Sequence, residues 1–359
     1  MKKVLTVLLI LAMVFCMAAC GNNSEEEPQT EVTVFEIGMV TDVGAINDGS
    51  FNQYTWAGCE NYAKANGLNA KYYAPANGTN ATDDDRIAAM QAAIDGGAKV
   101  IVTPGYLQAN ALDAVVPENP DVQFVFIDGW DMGFPNLVGV SYQEEQAGYL
   151  AGYAAVMEGF TKLGFSGGGG GTNPACERYG YGFAQGANDA AAKKGITVEM
   201  NYSWNFGAAF TESPELQSML NGWFTNGTEV CFMCGGTMFN SGLGAATATD
   251  GKIIGVDVDQ SVLAPDYVVT SAMKGLSVSV ETALAKFFDG GACYGSQLVL
   301  GAKDDAVGLP TETWSLQNWT VEEYEALFDA IVAGDVTIDN SEVPDPTGKL
   351  ANVTINFIA

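Results

Sequence analysis

Histidine is absent from all 359 residues. That removes every Ser-His and Cys-His catalytic constellation and every His-ligated zinc site. Positive charge is scarce as well: 15 Lys and Arg stand against 43 Asp and Glu, for a formal net charge of −28. A surface so acidic repels phosphate backbones and anionic lipid, which argues against nucleic acid as a partner. Cysteine is thin, with seven in all, and Cys16 and Cys20 fall in the leader region. An odd set remains (Cys59, Cys176, Cys231, Cys234 and Cys293), which argues against a disulfide framework. Cys231 and Cys234 form a lone C-x-x-C inside the apolar run VCFMC. With no second pair beside them they read as buried thiols rather than as a redox or metal site. No cofactor or metal is expected.

What is present is globular, 48% hydrophobic and 16% charged, with enough length for two domains. Residues 1–19 read as a signal segment: Lys2 and Lys3 precede an apolar stretch from Val4 to Phe15. Roughly a dozen residues is too short for a stable transmembrane helix. Met17-Ala18-Ala19-Cys20 resembles a lipobox, in which Cys20 is lipidated and becomes the mature N-terminus. The polar, acidic segment up to residue 33 reads as a tether. The chain is therefore expected on the outer face of the cell membrane, held by its lipid.

From Val34 onward apolar runs alternate with helix-like segments, the pattern of a doubly wound parallel α/β sheet. Strands are expected at 34–41, 69–74, 98–104, 122–128 and 137–141, with helices near 53–66, 82–95 and 107–116. Thr82 can cap the helix at 82–95, with Asp83, Asp84 and Asp85 in its first turn. A second series starts near Gln143 and continues through strands at 161–166, 197–203, 229–234 and 252–257. A strand at 267–271, a helix at 275–288 and a terminal helix at 320–333 follow. Two such series predict two similar lobes.

Candidate site residues cluster where strands end. Asp42, Asp128 and Asp257 each close an expected strand, and Gly235-Gly236 follow another. In open α/β sheets ligands bind at that edge. Carboxylates there accept hydrogen bonds from ribose hydroxyls or purine N–H groups, which suits a neutral polyhydroxyl ligand carrying a base. The loop TDVGAINDGSFNQ, 41–53, adds Ser50, Phe51 and Asn52, although Ser50 or Asp48 can equally serve as a helix cap. A glycine run, Gly167–Gly171, lacks the Lys-Ser/Thr of a Walker A loop and reads better as a close-packed turn than as a phosphate cradle. Clustered calcium-binding aspartates, as a nucleoside hydrolase would need, are not evident: Asp83-Asp84-Asp85 sits at a helix start and Asp257-x-Asp259 stands alone.

The series Asp42, Gly44, Ile46, Asp48, Ser50, Phe51, Asn52, Gln53 resembles the opening signature of the basic membrane protein family of substrate-binding lipoproteins, which includes the purine nucleoside receptors of ABC importers. Ala45, Asn47 and Gly49 depart from its usual Gly, Asp and Lys. Further matches lie at LGFSGG 163–168, GYGFAQG 180–186, IGVDVDQ 254–260 and TSAMKG 270–275, so the resemblance spans nearly the whole mature chain.

The resemblance implies a type I periplasmic-binding-protein fold with a ligand cleft between the lobes. The first lobe is expected from residues 34–142 plus 267–290, the second from 143–266 plus 291–359. Phe51 becomes one aromatic stacking on a base, with Asn52 beside it. Phe210 is the choice for the second, with Trp204, Phe206 and Phe239 as rivals. Lys274 matches a family lysine that orients a carboxylate or the ligand. A binding protein without enzymatic activity follows, monomeric, taking a nucleoside to a membrane permease. A flavin or sugar ligand, a hydrolase and a purely structural antigen stay open as alternatives.

Overall fold

A computed structural model describes residues 34–43, 46–290 and 295–359. Cys20, the tether, Gly44, Ala45 and Cys293 lie outside the described residues. Among the described residues two sheets form the framework. The first has six strands, all parallel: β1 (Ile37–Val40), β2 (Ala70–Tyr73), β3 (Val100–Pro104), β4 (Gln123–Ile127), β5 (Leu137–Tyr142) and, from far downstream, β11 (Gln297–Leu300). Their order is β11-β5-β4-β3-β1-β2. The second has seven: β6 (Lys162–Gly167), β7 (Val198–Ser203), β8 (Val230–Cys234), β9 (Lys252–Asp257), β10 (Val268–Lys274), β12 (Val307–Gly308) and β13 (Val353–Ile358). Here the order is β12-β10-β9-β8-β6-β7-β13, and β12 alone runs antiparallel to its neighbour. The central strands are buried on both faces, as parallel sheets covered by helices require.

Local chemistry starts and stops the helices. In α1 (Phe51–Asn66) the Asp48 carboxylate takes the N–H groups of Ser50, Asn52 and Gln53, and Gly67 ends the helix at φ 66°. In α2 (Asp83–Asp95) Thr82 and Asp85 form a capping box, so the acidic triplet serves a helix start. α3 (Ala109–Val115) leads into β4, and after β5 the chain crosses towards the second sheet through α4 (Glu144–Glu158), which lies against α5 (Pro174–Lys194). These helices approach so closely that a Cβ at Gly152 would fall 2.0 Å from the Phe183 carbonyl oxygen. The second lobe continues with α6 (Pro214–Thr225), α7 (Met238–Thr249) and, near the end of the chain, α9 (Val321–Ala333).

The return to the first lobe differs from expectation. The strand expected at 267–271 to rejoin it is β10, which pairs in parallel with β9 in the second sheet. Only from α8 (Leu276–Phe288) does the chain pack on the first lobe, against α1: Asn61 bonds Glu281, and Tyr62 stacks on Phe288. Likewise β11, expected in the second lobe, adds to the first sheet beside β5. An apolar strand carries no mark of which sheet will take it, because that choice is made by hydrogen bonds to distant residues.

Candidate functional site

The carboxyl ends of the two sheets face each other across a cleft, and its cavity is walled by residues from both lobes. All the expected site residues line it except Ser50: Asp42, Phe51, Asn52 and Asp128 from the first lobe, Phe210, Gly235, Gly236, Asp257 and Lys274 from the second. Ser50 stands behind this wall and donates its hydroxyl to Asp257 Oδ2 at 2.7 Å.

Three of these residues hold left-handed backbone: Asp128 at φ 56°, Asp257 at φ 67° and Phe210 at φ 58°. Such a conformation costs about 1–3 kcal/mol for a residue with a side chain and persists where the surroundings over-determine it. All three turn at the cavity wall.

Lys274 is the hub. Its ammonium, 3% exposed, lies 2.9 and 2.7 Å from the two oxygens of Asp128, 3.7 Å from Asp257 Oδ1 and 3.8 Å from Glu144 Oε1. The faces of Phe51 and Tyr142 sit 5.0 and 5.2 Å from it. Burial alone would lower its proton affinity, but the carboxylates of Asp128, Asp257 and Glu144 outweigh it and hold the ammonium above its ordinary range. Asp257 is pushed up by burial, against the pull of Lys274 and the Ser50 hydroxyl. Asp42 is pushed up by burial to about 7, and its Oδ1 has no hydrogen-bond partner among the described residues.

The amide of Asn52 is largely engaged within its own loop. Its Oδ1 accepts from the Asp42 N–H, and its Nδ2 donates to the Val43 carbonyl and to Asp48. That leaves one lone pair on Oδ1 for a ligand. Among the four aromatics weighed for the second lobe, Phe210 alone lines the cavity. Trp204 is buried with its indole N–H on the Pro344 carbonyl, Phe206 is 52% exposed, and Phe239 lies in the core.

The glycine run explains itself here. A Cβ at Gly168 would meet Phe210 Cδ1 at 2.3 Å, and one at Gly167 would meet Trp204 Cζ3 at 2.1 Å. Both rings pack against the run, and the Gly168 and Gly169 N–H groups are spent on the carbonyls of Cys234 and Gly207. Cys231 and Cys234 sit three apart on a strand, so they face opposite sides: Cys231 joins the core under Trp223, and Cys234 reaches the cavity wall. Both are free and buried.

Sequence reasoning missed Tyr106, Asn173, Tyr179 and Thr237, which also line the cavity, and the pair of buried Glu144 with partly buried Arg178, Oε2 to Nε 2.8 Å. Asn173-Pro174 was a legible helix start, since Asn173 caps α5 and Pro174 takes its first position. Glu144 and Arg178, on separate helices, carried no such sign.

The family model "ABC transporter substrate-binding protein PnrA-like" matches residues 35–342. Basic membrane protein D of Borreliella burgdorferi is 30% identical over 319 residues, covering 86% of either chain. A Lactococcus lactis protein named ABC transporter nucleoside-binding protein BmpA is 26% identical, covering 94% of this chain and 99% of its own. A solute-binding protein structure from Aeropyrum pernix superposes with a TM-score of 0.70 at 20% identity, covering 86% of this chain and 94% of that one. The fold is thus that of the type I periplasmic binding proteins. The chain belongs to the PnrA-like (basic membrane protein) family of ABC transporter substrate-binding proteins, a family of binding proteins rather than enzymes.

Proposed function

We propose that this chain binds a nucleoside, a purine nucleoside by preference, in the cleft and delivers it to the permease of an ABC importer. The observation that carries the reading is one arrangement: Phe51 and Phe210, one from each lobe, share a cavity whose wall bears the carboxylates of Asp42, Asp128 and Asp257. Aromatic rings from both sides suit the flat face of a base, worth about 1–3 kcal/mol per stack. Carboxylates suit hydroxyl and N–H donors, and the unpartnered Oδ1 of Asp42 is a buried acceptor with capacity to spare. The name of the Lactococcus lactis relative supports the same ligand class.

Because the two walls belong to different lobes, a ligand touching both favours the closed arrangement by its differential affinity. Lipidation at Cys20 holds the receptor at the outer face of the membrane in this reading, and the protein acts as a monomer. The test is to denature the purified chain and identify released small molecules by mass spectrometry, then titrate guanosine calorimetrically. A nucleoside in the extract with saturable guanosine binding is the expected result. A flavin or a sugar in its place, with no guanosine heat, would replace this ligand with another.

A further inference from the structure

Glu144 is the first residue of α4, immediately after the chain crosses from the first sheet to the second. Its side chain is 0% exposed and does not line the cavity. One carboxylate oxygen takes Arg178 Nε at 2.8 Å. The other stands 3.8 Å from Lys274 Nζ and has no hydrogen-bond partner among the described residues. Arg178 lies on α5 and Lys274 ends β10, so both partners belong to the same lobe as Glu144.

Asp128 is different. It follows β4 in the other sheet, yet its carboxylate grips the same ammonium at 2.7 Å. Three carboxylates, Glu144 and Asp257 from one lobe and Asp128 from the other, therefore converge on one nitrogen. Burial does most to raise the proton affinity of Glu144, Arg178 and Lys274 lower it, and the repulsion of Asp128 from the other lobe raises it further. Of Arg178, Lys274 and Asp128, only Asp128 stands on the other lobe and would move away when the lobes part.

The attraction of Glu144 to Lys274 and Arg178 thus persists with the cleft open or closed, whereas its repulsion from Asp128 exists only when closed. We propose that Glu144 is a positioning residue that opposes closure: it keeps the empty cleft from shutting on the Asp128–Lys274 pair and retains the Lys274 ammonium on its own lobe when Asp128 withdraws. A ligand that donates hydroxyls to Asp128 offsets this opposition, so closure is reserved for the loaded state. The inference rests on the hinged binding described under the proposed function. With Glu144 and Asp128 at 3.8 and 2.7 Å from the same nitrogen, one like charge more or less changes a two-state ratio by at least about tenfold.

The experiment is small-angle X-ray scattering of the full chain without ligand and with guanosine, joined to guanosine titration and dissociation kinetics. It compares wild type with Glu144→Gln, Glu144→Met and Asp128→Asn. Ligand-free Glu144→Gln should shift towards the compact form seen with ligand, bind guanosine about tenfold more tightly and release it more slowly. Asp128→Asn should shift the ligand-free chain the other way.

A merely structural role for Glu144 would instead loosen the protein and weaken binding. If Glu144→Gln does not fold, Glu144→Met carries the same test with a side chain of similar volume. Failure of both to fold, or an open-ward or absent shift in them while Asp128→Asn opens, overturns the proposal and leaves hinged binding intact. If neither guanosine nor Asp128→Asn changes the scattering, the hinged reading itself fails and takes the proposal with it.

Discussion

Ser50 and Asp257, 207 residues apart in the chain, meet across the cleft: the Ser50 hydroxyl donates to Asp257 Oδ2 at 2.7 Å. The first precedes α1 on one lobe and the second ends β9 on the other. With Lys274 on Asp128, this bond ties the two walls of the cavity together by direct contact. Asp257 is therefore both a cross-lobe tie and a cavity carboxylate, which separates its substitution from that of its aromatic neighbour.

Phe51→Ala should weaken every nucleoside by a similar factor, about 1–3 kcal/mol, because stacking tolerates any base. Asp257→Ala should selectively weaken ligands carrying both ribose hydroxyls, since a buried hydroxyl left unpaired costs about 1–3 kcal/mol and an absent one costs nothing. Titration calorimetry of guanosine and its 2′,3′-dideoxy analogue on both variants checks this. Equal losses for the two ligands in Asp257→Ala would assign that carboxylate to closure alone.

Gly168→Ala should displace Phe210. The backbone at Gly168 is extended, with φ −75°, so the added methyl brings no backbone strain, but it would lie 2.3 Å from the ring. Overpacking of this kind costs about 1–3 kcal/mol. The expected outcome is a folded protein with weakened guanosine binding and a lower melting temperature, read by calorimetry of both kinds. Unchanged binding would remove Phe210 from the ligand's surroundings.

Asp42 should leave a mark on stability against pH. Burial raises its folded value from 3.8 to about 7, so between those limits the folded chain keeps a proton that the unfolded chain has released. Stability of the ligand-free protein therefore falls as pH rises through that window, by an amount on the order of 4 kcal/mol from this group. Asp42→Asn should remove that slope. Denaturant melts of wild type and variant at several pH values between about 4 and 8 give the difference directly. A wild-type curve parallel to that of the variant would place the Asp42 carboxyl at its ordinary value.

Cys20→Ala should release the protein from the membrane fraction while guanosine binding stays intact. Stable attachment needs two acyl chains, which a diacylated cysteine supplies and an alanine cannot. Fractionation followed by titration of the soluble pool checks it, and continued retention on the membrane would exclude lipidation at Cys20 as the anchor.

The linear sequence determined what depends on neighbours in the chain. Alternation of apolar runs with capped helices settled the parallel α/β class, and Thr82 with Asp85 formed the capping box their spacing announced. Strand ends placed Asp42 and Asp128 at the carboxyl edge of the first sheet and Asp257 at that of the second, because the strands of a parallel sheet present their carboxyl ends on the same side. Tertiary structure decided what depends on long-range pairing. Which sheet would take β10 and β11 was settled by hydrogen bonds to β9 and β5, and an apolar strand fits either. Phe210 was distinguished from Trp204, Phe206 and Phe239 by where the loop after β7 folds onto the glycine run. The charge network of Glu144, Arg178, Lys274 and Asp128 was least legible of all. Each member is unremarkable in its own segment, and only the approach of two lobes, excluding water from between them, makes four distant charges one system.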